Sequence, residues 1–312
     1  MKKVLFFTDP GIDDAIALMY ALLHPDIELV GIVSSYGNIS KKEATRNIAF
    51  ILHTAGRSDI PLIGGATRPF DGLPPTYYPE IHGPKGLGPL IPPDFINGEL
   101  LNFSRVFDIM KEHPDLTIVD VGRSTSLATA MILSSKEVSE VKEFYIMGGA
   151  FLTPGNVTEY AEANFFGDPL ATNLVLTSLK NVHIMPLNIT NTAIVTMDMV
   201  EYILQHAQNK LVHLLKPLMN FYCEVYAELV PGLQGAPIHD VTAMAMLTYP
   251  SLGKFLSRDV DVQTFGMTKG QSVADLRPKA PPSKNNINIY LKMDYQKFIK
   301  DFIHTMIGPN LK

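Results

Sequence analysis

Short apolar runs of strand length alternate along the first two-thirds of the chain with segments whose apolar residues recur at helical spacing. "KVLFF" (3–7) precedes "DDAIALMYALLH" (13–24), where Ala15, Ile16, Met19, Tyr20, Leu22 and Leu23 fall on one helical face. "IELVGIVSS" (27–35) precedes "KKEATRNIAFILHTAG" (41–56), and "LTIVD" (116–120) precedes "TSLATAMIL" (125–133). "EFYIMGG" (143–149), "DPLATNLVLTS" (168–178) and "NVHIMPL" (181–187) continue the alternation. Nearly continuous apolar strands separated by helices predict a parallel sheet covered on both faces. The expected fold is α/β: a single domain over 1–312 with one open, doubly wound, mostly parallel sheet.

Two stretches depart from the alternation. Residues 65–98 are rich in Pro and Gly, and a loop of that length inside a domain is usually functional or mobile. The part from about 70 to 92 is expected to be a mobile active-site loop. Residues from about 195 to 250 read as a mostly helical insertion.

Composition narrows the function classes. Of 312 residues, 46% are hydrophobic and 18% charged, which suits a large buried core. The net charge of −5 provides no electrostatic footprint for nucleic acid or an anionic membrane. One cysteine, Cys223, rules out an intrachain disulfide and suits a reducing, cytoplasmic location. The apolar start stops at "TDPG", too early for a signal peptide, and no stretch reaches the roughly 20 apolar residues of a membrane span.

Ligands of open α/β sheets bind beyond the carboxyl ends of the strands. The residues there are Asp9, Asp13 and Asp14; Asn38; Asp120 to Arg123; Asn156, Glu162 and Asn164; and Asn188. His239 and Asp240 lie in the helical part. The set is rich in oxygen donors and has no zinc-type Cys/His spacing. Capping of a helix N-terminus accounts for one or two of the three clustered aspartates. Asp9, ahead of the Pro-Gly turn, is less well explained that way, and a hard divalent cation is the alternative. "HGPKGLG" lacks the spacing of a phosphate-binding P-loop.

Six segments, in order, resemble the nucleoside hydrolase family of the inosine-uridine type. They are "DPGIDDAIAL", "GIVSSYGN" followed by "TRN", "IHGPKGLG", "IMGGAFLTPGNVTEYAEANFFGDPLA", "HDVTAMA" and "MTKGQSVADLR". The resemblance implies an open α/β fold, a bound Ca²⁺ and hydrolysis of the N-glycosidic bond of ribonucleosides. It makes Asp9, Asp14 and Asp240 calcium ligands, with a backbone carbonyl at or near Val121. Asp13, Asn38 and Asn164 bind ribose hydroxyls, and Asn156 and Glu162 hold the 5′-hydroxyl. His82 lies in the loop that closes over the site, and His239 faces the base as a leaving-group acid; Tyr226 is placed among the substrate contacts as an aromatic residue and not by the resemblance. A homodimer or homotetramer and a role in purine or pyrimidine salvage belong to the same implication.

The chemistry is consistent with these residue types. Glycosidic cleavage builds positive charge on the ribose, which carboxylates and amide oxygens stabilise. Calcium would acidify a water whose proton Asp9 takes. The chain departs from the family pattern at "VGRSTSLA", where Arg123 is unaccounted for, at Asn188 in place of an aspartate, and at Ala163 in place of a bulkier aromatic. With no tryptophan, base contacts fall to Tyr77, Tyr78, Phe221, Tyr222 and Tyr226, which favours a broad or pyrimidine-leaning specificity. A non-catalytic ribose or nucleoside binder, a hydrolase of a non-standard riboside and a metal-dependent phosphohydrolase are the other readings. Against the last, no basic cluster stands at the strand ends.

Overall fold

In the computed structural model, which describes residues 1–308, the alternating runs become a central sheet. Its strands are β1 (Lys2–Thr8), β2 (Ile27–Ser34), β3 (Leu62–Gly64), β4 (Thr117–Asp120), β5 (Glu143–Met147) and β6 (Val182–Met185). Further along lie a ribbon of β7 (Ile194–Val195) and β8 (Ala236–Pro237), then β9 (Gly253–Ser257), β10 (Val260–Val262), β11 (Ser272–Ala274) and β12 (Ile287–Met293). The eight-stranded sheet runs β3-β2-β1-β4-β5-β6-β12-β9. All neighbours pair in parallel except the edge pair β12–β9, which is antiparallel. This is the expected doubly wound α/β sheet.

Strand β1 shows why these runs read as continuously apolar. Val4 and Phe6 point into the core on one face of the sheet, and Leu5 and Phe7 into the core on the other. Side chains alternate faces along a strand, so burial on both sides demands apolar residues at every position.

The order of strands reverses at β1, which has β2 on one side and β4 on the other. Chains leaving the carboxyl ends of β1 and β4 diverge there and leave a crevice. Helix Ile12–Leu23 starts at this point and is buried on nearly every side, including its acidic first turn. It was expected to be amphipathic. Instead helices Lys41–Ala55, Val241–Thr248 and Tyr295–Ile307 pack around it, so that it is covered by helices as well as by strand β2. Leu22, expected on the buried face, is only half-buried.

The segment 195–250 holds helices Met197–His206, Val212–Leu229 and Val241–Thr248 together with the ribbon β7–β8. The Pro/Gly-rich stretch 65–98 contains one helical turn, Pro79–His82. Among the described residues no helix is long and apolar enough to cross a membrane.

Candidate active site

The crevice opens into a cavity of about 750 Å³. Its floor is the carboxylate cluster. Asp14 stands in the first turn of helix Ile12–Leu23, and its Oδ2 accepts the Gly11 N–H at 3.1 Å, closing the helix N-terminus. The same carboxylate accepts the Thr8 hydroxyl at 2.6 Å, the Asp9 N–H at 3.2 Å and the Asn38 amide at 2.9 Å. Asp9 Oδ2 accepts the Asn38 N–H at 2.6 Å. Asn38 thus grips both aspartates, one with its main chain and one with its side chain.

Space around Asp9 is created by glycines. A Cβ on Gly37 would overlap Asp9 Oδ2, and one on Gly122 would sit 2.5 Å from Oδ1. Only Gly lets the backbones after β2 and β4 approach the carboxylate this closely.

The electrostatics are one-sided. Burial, then Asp14, pushes the Asp9 carboxyl well above its usual range, against Arg123 and the Asn38 N–H. Burial and neighbouring carboxylates raise Asp13 and Asp240 as well, and burial lifts Asp120 to about 7. Asp9 Oδ1, Asp13 Oδ1 and Asp120 Oδ2 are buried without a protein donor. Buried anions this close destabilise one another unless a cation joins them. One carboxylate oxygen each from Asp13, Asp14 and Asp240 lies within 4.8 Å of the others. An all-oxygen set of this kind fits a hard divalent ion. The expected ligand set has Asp9 where this trio has Asp13.

Above the cluster, Glu162 and Asn164 come from the loop and short helix after β5. Glu162 caps helix Ala163–Gly167: Oε1 accepts the Asn164 N–H at 2.8 Å, and Oε2 accepts Gly149 at 2.8 Å and Phe165 at 3.1 Å. The Asn164 amide donates to the Val121 carbonyl at 2.8 Å, so that carbonyl faces the cavity side of the β4 end. Asn156 Oδ1 accepts the Ala163 N–H at 3.0 Å.

A different set of groups lines the far wall. His239 is buried between Tyr226, whose hydroxyl is 2.9 Å from Nε2, and Thr190, whose hydroxyl is 2.9 Å from Nδ1. Burial lowers its pKa to about 4, so the ring is neutral near pH 7. His82 is likewise buried, which lowers its pKa to about 3, and its Nδ1 accepts the Ile12 N–H at 3.1 Å. It stacks on Tyr222, with ring centroids 5.9 Å apart, and lies 3.9 Å from Asp13 Oδ1.

A carboxylate floor, an amide-rich side and a His–Tyr wall enclose one cavity, and the sequence decides what kind of site it is. The model of the family described as "Inosine-uridine preferring nucleoside hydrolase" matches residues 4–300. The chain belongs to this family. A probable uridine nucleosidase 2 of Oryza sativa subsp. japonica is 33% identical over 289 residues, 91% of this chain and 85% of that one. An inosine-uridine preferring nucleoside hydrolase of Crithidia fasciculata is 30% identical over 303 residues, 95% of each chain. The solved structure of a purine-preferring ribonucleoside hydrolase from Gardnerella vaginalis superposes with a TM-score of 0.90 at 27% identity, covering 98% of both chains.

Within this nucleoside hydrolase, Asp13, Asn38, His82, Val121, Asn156, Glu162, Asn164, Tyr226, His239 and Asp240 all line the one cavity. Asp9 and Asp14 lie beneath it, fully buried. Of the five aromatic residues considered for base contact, Tyr78, Tyr222 and Tyr226 line the cavity. Tyr77 is partly exposed on the loop and Phe221 packs against Gly88, so neither lines it. Asn188 lies outside the cavity, where its side chain takes the Phe151 N–H at 2.9 Å and donates to the Phe151 carbonyl. A carboxylate could accept there but not donate, which accounts for the amide. Sequence reasoning did not assign Asp120 or Thr190. Asp120 carried the signal of an acid at the end of a buried strand. Nothing local pairs Thr190 with a histidine 49 positions away.

Proposed function

We propose that the chain hydrolyses the N-glycosidic bond of ribonucleosides to free base and ribose. The observation that carries this reading is a buried, under-compensated carboxylate cluster at the sheet's switch point, facing one nucleoside-sized cavity whose opposite wall is a neutral His–Tyr pair.

Asp14 and Asp240, with Asp9 or Asp13 and the Val121 carbonyl, would hold calcium. When bound there, a hard divalent cation binds and acidifies water and grips neighbouring hydroxyl oxygens. Asp9 is the proton acceptor, since its Oδ1 lacks a protein donor while Oδ2 is anchored by Asn38. Asp13, Asn38 and Asn164 bind ribose hydroxyls, and Asn156 and Glu162 the 5′ end. Their negative and dipolar oxygens stabilise the positive charge that develops on the sugar. His239 and the Tyr226 hydroxyl meet the departing base. Because the ring is neutral here, what they offer is hydrogen-bond donation through N–H or O–H.

Tyr78, Tyr222 and Tyr226 supply moderate stacking surface, and uridine appears in the names of several relatives. Both favour broad or pyrimidine-leaning specificity. A homo-oligomeric, cytoplasmic enzyme of nucleoside salvage or catabolism completes the reading.

Chromatographic analysis of a panel of ribonucleosides, 2′-deoxyribonucleosides and nucleotides, with and without calcium, tests it. Free base and ribose should come from ribonucleosides alone. Binding without release would make the chain a nucleoside binder, and turnover of nucleotides a phosphohydrolase. Equal activity on 2′-deoxyribonucleosides would refute the contacts to the ribose diol.

A further inference from the structure

One buried charge near the cavity has no part in the chemistry above. Arg123 follows β4 by three residues and is 3% exposed. Its guanidinium carbon lies 5.4 Å from the centre of the Tyr36 ring and 5.5 Å from that of Tyr78. Nη2 donates to the Thr76 carbonyl at 2.8 Å. Its stem runs against Gly167, where any Cβ would overlap Cδ and Nε.

We propose that Arg123 is a positioning residue: it clamps the segment Thr76–His82 to the end of β4, so that Tyr78 and His82 stand at the cavity. The proposal rests on the reading of the cavity as a ribonucleoside site.

The contacts run continuously from the clamp to the carboxylate cluster. Tyr36 is fixed from below, its hydroxyl 2.9 Å from that of Thr125, which donates to Asp168 at 2.7 Å. Asp168 also accepts the Phe70 N–H at 2.9 Å, a second tie to the same Pro/Gly-rich stretch. Tyr78 then donates its N–H to the Asn38 carbonyl at 2.9 Å, and its own carbonyl accepts the N–H groups of Ile81 and His82, each at 3.1 Å. His82 in turn receives the Ile12 N–H in the first turn of the helix that carries Asp13 and Asp14. A segment with only one helical turn of its own is thus held by a side chain at the switch point at its Thr76–Tyr78 end, while Asn47 holds the Lys85 carbonyl at 2.7 Å further along.

The chemistry calls for arginine. A planar guanidinium can stack on an aromatic ring while donating in its own plane, whereas a lysine ammonium is a hydrated point charge that does neither well. Charge alone is a distinct role, because Arg123 also works against protonation of Asp9 and Glu162. Arg123→Lys separates the two.

The test uses calcium-loaded protein and the variants Arg123→Lys, Arg123→Met, Tyr78→Leu and the Arg123→Met/Tyr78→Leu double. Two readouts are taken: the rate of proteolytic cutting within residues 66–98, mapped by mass spectrometry, and kcat and KM for uridine and inosine. Each single variant should be cut about tenfold faster, and Arg123→Lys, which keeps the charge, should show a KM raised about tenfold with kcat within about threefold of the parent. In the rate of cutting, the double should be no worse than the more affected single, since there both changes break one contact. Wild-type KM and protease resistance in Arg123→Lys would mean that charge, not the clamp, matters, and would overturn the proposal. Additive rates of cutting in the double would overturn it too. Should Arg123→Met not fold, Arg123→Lys by both readouts and Tyr78→Leu by the rate of cutting carry the same decision. If the unmodified protein hydrolyses no ribonucleoside, the function fails, while the proteolysis readout still decides the clamp.

Discussion

At the scale of single residues, Asp14 shows that capping and ligand chemistry are not rival explanations. It closes the helix N-terminus through Gly11 and joins Asp13 and Asp240 in the carboxylate trio. Asp9 differs, with Oδ2 anchored beside Gly37 and Oδ1 left without a protein donor beside Gly122. Asp9→Asn keeps the shape and removes the proposed base. It should lower kcat by about 10²–10⁴-fold with an unchanged near-ultraviolet circular dichroism spectrum, and near-normal turnover would refute the role. Gly122→Ala pushes on the same carboxylate from 2.5 Å and should cost about 10²-fold in kcat/KM. His239→Ala should slow inosine far more than p-nitrophenyl riboside, whose leaving group needs no help. Equal losses on both substrates would remove His239 from leaving-group stabilisation.

Among the elements, helix Ile12–Leu23 combines two requirements that the chain seldom meets together. Its body is apolar all round, and its first turn is acidic yet buried. The helix dipole favours the two acids there but cannot compensate several carboxylates at once. Removing bound metal with a chelator should therefore lower the melting temperature, and calcium should restore it. At a concentration about 100 times its Kd the ion would add about 2.7 kcal/mol. A melting temperature indifferent to both would exclude a metal from the cluster.

The elements also differ in how readable they were. The helix Thr125–Leu133 and the strands around Asp9 and Asp120 match their apolar runs. Strand β3 has three residues inside a Pro/Gly-rich context, too few for any period. Strand β12 carries Asn288 and Lys292 among its apolar residues, and its neighbour β9 is half-exposed at the sheet edge. Their pairing is decided by partners distant in sequence.

The whole molecule brings the ends of β1 and β4, the loop after β5, the turn at 79–82 and the start of helix Val241–Thr248 to one cavity. The C-terminal helix Tyr295–Ile307 supports that arrangement from behind. Its Phe302 is fully buried and stacks on Tyr20, ring centroids 6.4 Å apart. Phe302→Ala should cost about 3–5 kcal/mol in urea unfolding. It should leave KM near the parent value, because the lost contacts lie behind the helix and not at the cavity.

Strand and helix alternation, the acidic turn after the first strand and the ordered family segments are local properties. They were legible in the chain because periodicity and short-range spacing act within a few residues. What only the tertiary structure decided were contacts between distant positions. Asn38 grips two aspartates some 24 and 29 positions away. Asn188 pins Phe151, Thr190 holds His239, and Arg123 stacks between Tyr36 and Tyr78. Such pairings depend on how the sheet orders its strands, and no local pattern encodes that order.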